Sequence, residues 1–151
     1  MTDQFVVDTS ILIPAFVADT DSARVQTLLS MLNDPTPIGL HIPEFSLVEC
    51  GNVLWKRVHI FGTPDKESVE ALKNLLALPL TVHAAAHLLP SALDIAIQNG
   101  LTVYDSMTIA LAESLLCPLL TVDTKQATIA TQVGIILKSI TDFPEFTGND
   151  T

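Results

Sequence analysis

Asp8, Glu49, Asp105 and Asp123 are the residues of this chain whose types and positions could do chemistry. Asp8 closes the apolar run FVVD, where a strand that reads as buried ends on a carboxylate. Asp123 closes a second such run, PLLTVD, and Asp105 follows LTVY where a helical pattern begins. Each aspartate has a plain reading as a helix cap, because Asp accepts hydrogen bonds from the free N–H groups of a first turn. Glu49 lies inside the helical stretch PEFSLVECGNVLWKRVHIF, with Phe45, Ser46, Asn52 and Val53 as its neighbours one turn away. That face is partly apolar, so a glutamate there is either half-exposed on a mixed face or compensated by something inside the protein. Three or four carboxylates at one place raise one another's pKa values, and a divalent cation removes the conflict. A set of oxygen donors without clustered His or Cys suits Mg²⁺ or Mn²⁺. Ions held in this way activate water and neutralise phosphate charge in phosphoryl chemistry.

The elements around these residues bring three of the four to one place. FVVD, IGLHI, LTVH, PLLTVD and IILKSI read as five strands. Between them run helical patterns: a short one in ILIPAFVADT, then DSARVQTLLSMLN, the helix from Pro43 to Phe61, and DKESVEALKNLLAL. AAAHLLPSALDIAIQNG follows, bent or restarted at Pro90 and stopped at Asn99-Gly100, and then SMTIALAESLLC and TKQATIATQV. Strands separated by helices predict a parallel sheet covered on both faces. In such a sheet strand C-termini and helix N-termini share an edge, and ligands bind where the strand order reverses. Asp8, Asp105 and Asp123 are therefore expected on one edge.

Composition bounds the rest. The 151 residues form one domain, 1–151, and a chain that is 48% hydrophobic and 16% charged is packed and globular. No apolar run approaches the roughly 18 residues of a membrane helix. MTDQFVVD has no basic region ahead of its apolar stretch, which argues against a secretory signal and for a cytoplasmic protein. Cys50 and Cys117 fit neither a disulfide framework nor a zinc pattern and read as two buried thiols. His83 and His87 would lie one turn apart on a helix, but no further ligand at zinc-like spacing accompanies them. The net charge is −10, with only seven Lys and Arg residues. That balance argues against a general nucleic-acid binder, and it admits a cation-loaded site or a basic protein partner.

The motifs VVDTSIL, PEFSLVECGNVL and LTVYDSMTIALAESLLCPLLTVDTKQA, in this order, resemble the PIN-domain nucleases, and among them the VapC-type toxins of bacterial toxin–antitoxin pairs. The resemblance spans essentially the whole chain. It implies a three-layer α/β/α sandwich with a five-stranded parallel sheet. It also implies Mg²⁺- or Mn²⁺-dependent RNA cleavage, a homodimer, and neutralisation by an antitoxin. Carried over position by position, it makes Asp8, Glu49, Asp105 and Asp123 the metal and catalytic site, with Ser10 and Thr121 in support. Cleaving RNA calls for positive charge beside the acids. Lys125 in TVDTKQA and Lys56 and Arg57 in LWKRV are the candidates, against a plain reading as solvated helix surface. So few cations are consistent with a narrow substrate range or with a groove built across a dimer.

Two other readings compete. A PIN-like fold could serve as a non-catalytic binding module, although all four acids are present. A receiver-type phosphoacceptor domain also carries an acidic Mg²⁺ pocket. It needs adjacent acids after strand one and an Asp after strand three, whereas Asp8 has no acidic neighbour and LTVHAAA has no Asp. A phosphatase of the DxD type is disfavoured by Ser10.

Overall fold

The computed structural model describes residues 3–145. Met1, Thr2 and the last six positions of the expected domain 1–151 lie outside the described residues. Five parallel strands form a single sheet: β1 (Gln4–Val7), β2 (Gly39–Pro43), β3 (Thr81–His83), β4 (Leu119–Leu120) and β5 (Leu137–Lys138). Their order is β3-β2-β1-β4-β5. The chain moves outward from β1 through β2 to β3, then returns to lay β4 on the other side of β1. The strand order therefore reverses between β1 and β4.

Side chains alternate across the sheet and build two cores. Phe5, Val7, Leu40, Ile42 and Leu120 face one layer, which contains α1 (Thr9–Leu12), α2 (Ser22–Ser30), α3 (Glu44–Phe61) and α4 (Asp65–Ala77). Val25, Leu28, Leu29 and Leu32, spaced to share one helical face, are all buried in that core. Val6 and Leu119 face the opposite layer of α5 (Ala85–Asn99), α6 (Val103–Leu115) and α7 (Thr124–Gln132). The structure is thus the expected three-layer sandwich. Helix α6 is buried at every position from Ser106 to Ala112, so it packs on all sides. Helix α3 reaches both cores, Leu47 and Cys50 into the first and Phe45 into the second. It therefore lies across the end of the sheet, which is how a mid-helix Glu49 reaches the site edge.

Several boundaries differ from the sequence reading. Helix α5 runs unbroken through Pro90, whose exposed position leaves the freed carbonyl one turn earlier to water. It ends on Gly100 at φ 66°, and α3 ends on Gly62 at φ 70°, left-handed caps that favour glycine. Strand β4 pairs only at Leu119 and Leu120, because hydroxyls then capture the backbone: Val122 N–H donates to Ser10 Oγ (3.2 Å) and Asp123 N–H to Thr121 Oγ1 (3.1 Å). Cys50 is buried as expected, whereas Cys117 is only half-buried. His83 sits at the end of β3 and His87 in α5, so they share no helix. His83 Nε2 instead lies 2.9 Å from His41 Nδ1 on β2. Among the described residues no helix is long and apolar enough to cross a membrane.

Candidate active site

Asp8 follows β1 immediately and caps α1, with its Oδ2 accepting from Ser10 N–H at 3.1 Å. The plain cap reading is therefore correct as far as it goes. The other oxygen does something a cap does not require. Asp8 Oδ1 accepts from Thr108 Oγ1 (3.4 Å) on α6 and from Gln126 Nε2 (3.2 Å) on α7. Gln126 is 1% exposed, and its Nε2 also donates to the Asp105 carbonyl at 3.0 Å. Both partners are acceptors, so the amide orientation is fixed. Among the described residues Gln126 Oε1 has no partner. An orphaned buried oxygen costs about 1–3 kcal/mol. It is tolerated because the NH₂ is committed to holding Asp8 against the start of α6.

Asp105 lies in the first turn of α6 but is not its cap. Thr102 is: its Oγ1 accepts from Asp105 N–H at 3.1 Å. Asp123 does cap α7, with Oδ1 accepting from Gln126 N–H at 2.8 Å, and it stands three residues beyond the end of β4. Glu49, half-buried on α3, accepts from Thr9 Oγ1 at 2.9 Å. Ser10 Oγ lies 3.3 Å from Thr121 Oγ1, so the two expected supporting residues tie the segment after β1 to the segment after β4. All six expected site residues thus lie at the C-terminal edge of the sheet, where the strand order reverses, as ligand sites in open α/β sheets do.

The acids feel one another. Burial is the larger cause that holds the Glu49 carboxyl above its ordinary range, and the charges of Asp8 and Asp105 add to it against the opposing Thr9 hydrogen bond. Burial likewise raises Asp105, with Asp123 and Asp8 adding, while a Thr102 hydrogen bond and the Lys125 charge oppose. The Cys50 thiol, next to Glu49 in sequence, is pushed up to about 12 by burial and then by Glu49 and Asp8, so it is no nucleophile at neutral pH. The donor chemistry fits a hard divalent cation, being four carboxylates with no sulfur or imidazole among them. Their spacing is open: among the described residues no three His, Cys, Asp or Glu side chains form a group that could hold a metal ion.

The candidate RNA contacts separate. Lys125 belongs to the site edge: its charge acts on Asp105, and its Nζ donates to the Gly100 carbonyl at 3.1 Å. Lys56 is exposed on α3, two turns beyond Glu49 on the same face and so about 10 Å along the axis. Arg57 is half-buried beside it. The one ion pair among the described residues is Lys138–Asp142 at 3.4 Å, far from these groups in sequence.

Thr9, Thr108 and Gln126 escape the sequence reading. Thr9 lies between the site candidates Asp8 and Ser10. Gln126 stands three after Asp123, the spacing of a capping box, in which its side chain would turn back to the helix start. Only the juxtaposition of β1 and β4 shows that it turns to Asp8 instead.

The five-stranded parallel α/β/α sandwich fits the fold of the PIN domain, and the chain belongs to the PIN-domain family, whose model matches residues 5–132. It is 30% identical over 126 residues to ribonuclease VapC3 of Pyrobaculum aerophilum, covering 82% of this chain and 92% of that protein. The fold is that of PAE2754 from the same organism, with a TM-score of 0.70 and 24% identity over 93% of this chain and 85% of that one. It is also that of a chain in the structure of VapBC2 from Rickettsia felis bound to a promoter DNA fragment, with a TM-score of 0.63 and 18% identity over 90% and 98% of the two chains.

Proposed function

We propose that this protein is a divalent-metal-dependent endoribonuclease, the toxin of a toxin–antitoxin pair, with Asp8, Glu49, Asp105 and Asp123 as its metal-holding and catalytic acids. The observation that supports the reading is that four carboxylates from four separate segments share one edge and act on one another through their charge, in a chain 30% identical to a protein named ribonuclease VapC3. A bound Mg²⁺ or Mn²⁺ supplies the positive charge that activates water and offsets charge developing on the phosphodiester. The chain's own residues prepare the place for it. Thr108 and Gln126 hold Asp8 from one side and the Ser10 N–H from the other, so its carboxylate does not swing into a cap-only pose. Thr9 aims Glu49, and the Ser10–Thr121 contact keeps Asp123 in register with Asp8. Such fixed positioning is what lets charge stabilisation operate without reorganisation. Lys125, close enough to lower Asp105, is the best placed of the three basic candidates to meet a phosphate.

The partner follows from charge. A chain of net charge −10 with an acidic pocket suits a basic antitoxin whose Arg or Lys side chains enter among the carboxylates. A protein that acts on RNA works in the cytoplasm, and a homodimer would build the substrate groove across two chains, so that the few basic residues of both meet one RNA. The test is to incubate the purified protein with a mixed RNA pool, with Mn²⁺ or with EDTA, and to sequence the new ends. Discrete ends in Mn²⁺ and none in EDTA are expected. Ends that persist equally in EDTA would refute metal dependence, and no cleavage in either condition would return the fold to a binding role.

A further inference from the structure

A ribonuclease with seven basic residues and a net charge of −10 gains little affinity from phosphate attraction beyond Lys125 and its metal. Uncharged contacts then carry a larger share of the affinity, and the surface beside the acids offers one. Tyr104, the only tyrosine of the chain, directly precedes Asp105 in the first turn of α6. Its ring lies on that of Phe45, with centroids 4.8 Å apart and planes 14° from parallel. Phe45 is one turn before Glu49 on the same face of α3, and it is anchored in the second core. The pair thus bridges the two helices that carry Glu49 and Asp105. Phe45 covers one face of the tyrosine, which is nevertheless 57% exposed. A planar ring held flat from below and open above is a stacking platform, and stacking does not depend on net charge. A base inside a duplex is already stacked on its neighbours and cannot use it.

Resting on the ribonuclease reading, we infer that Tyr104 is a specificity-determining residue that stacks an unpaired base of single-stranded RNA next to the scissile phosphate, with Phe45 as its support.

The test uses a single-stranded oligoribonucleotide that spans a site mapped in the RNA pool. Its two companions carry an abasic residue on either side of the cleaved bond. Wild type, Tyr104→Phe, Tyr104→Leu and Tyr104→Ala are compared in Mn²⁺, with melting temperatures measured alongside. Tyr104→Ala and Tyr104→Leu should raise KM by about 5- to 150-fold with kcat unchanged, and Tyr104→Phe should behave as wild type. For wild type, one of the abasic substrates should raise KM by a similar factor. For Tyr104→Ala the same abasic residue should add nothing, a coupling that loss of fold stability would not produce. An unchanged KM in a folded Tyr104→Leu, or an abasic penalty that survives in Tyr104→Ala, would overturn the stacking role while leaving the ribonuclease reading intact. Absence of cleavage by wild type itself would overturn both.

Discussion

Asp8→Asn should lower RNA cleavage by about 10³-fold, the effect of losing roughly 4 kcal/mol of transition-state stabilisation. The substitution is severe although it keeps the size because the amide removes the charge that would hold a metal ion, while the hydrogen bonds around Asp8 set its smaller cost in stability. Three donors converge on the carboxylate: Thr108 Oγ1, Gln126 Nε2 and Ser10 N–H. An asparagine has one oxygen to offer them, so its NH₂ must face a donor whichever way the amide turns. If the oxygen stays on Gln126, the bond to Ser10 is lost, a cap worth about 1 kcal/mol. The variant should therefore fold with a modest loss of melting temperature and be inactive. Assayed at matched metal concentration, an Asp8→Asn protein with more than a tenth of wild-type activity would remove Asp8 from the chemistry.

The second large effect is on stability. Saturating the purified protein with Mg²⁺ at 100 times its Kd should stabilise it by about 2.7 kcal/mol through mass action. For a chain of this size that raises Tm by about 5–11 °C. The gain is tied to the acids, and their titration sets its pH dependence. Glu49 and Asp105 are both held above the ordinary carboxylate range, chiefly by burial and further by neighbouring acids. A carboxyl raised in the folded state favours the protonated form there. Its stability contribution is therefore fully present below the unfolded pKa and is lost as pH rises through the folded one. In EDTA these two groups weaken the protein toward neutral pH, the reverse of a salt-bridged acid. Glu49→Gln removes one of them while leaving Oε1 for the Thr9 hydroxyl. Scanning calorimetry in EDTA should therefore show Glu49→Gln melting above wild type at pH 7, with the difference vanishing below the carboxylate range. The Mg²⁺ shift of the variant should shrink. A Glu49→Gln protein with the wild-type Mg²⁺ shift and no gain in EDTA would make Glu49 an ordinary half-buried residue.

How much of this was legible in the sequence depends on the range of the interactions. The sheet and its layers were, because alternation in FVVD and the spacing of Val25, Leu28, Leu29 and Leu32 are set by burial within one element. The edge carrying Asp8, Asp105 and Asp123 was too, since parallel topology alone brings strand ends and helix starts together. What was hidden depends on contacts between distant segments. Pro90 reads as a break, yet tertiary packing of Leu88, Ala92, Ile95 and Ala96 carries α5 through it. Thr102 rather than Asp105 caps α6, because the helix begins before the apolar pattern does. His83 pairs across the sheet with His41, where sequence spacing pointed to His87. Gln126 carries a local capping signature, and only the reversal of strand order between β1 and β4 gives it Asp8 as a neighbour.

The proposed function stands on these four acids holding a divalent cation at the switch-point edge. The most direct measurement is anomalous diffraction from crystals of the protein soaked in Mn²⁺. An anomalous peak ligated by oxygens of Asp8 together with others among Glu49, Asp105 and Asp123 is expected, and it should be lost in Asp8→Asn crystals. A fully soaked crystal with no peak at that edge, or with manganese at His41 and His83 instead, would contradict it.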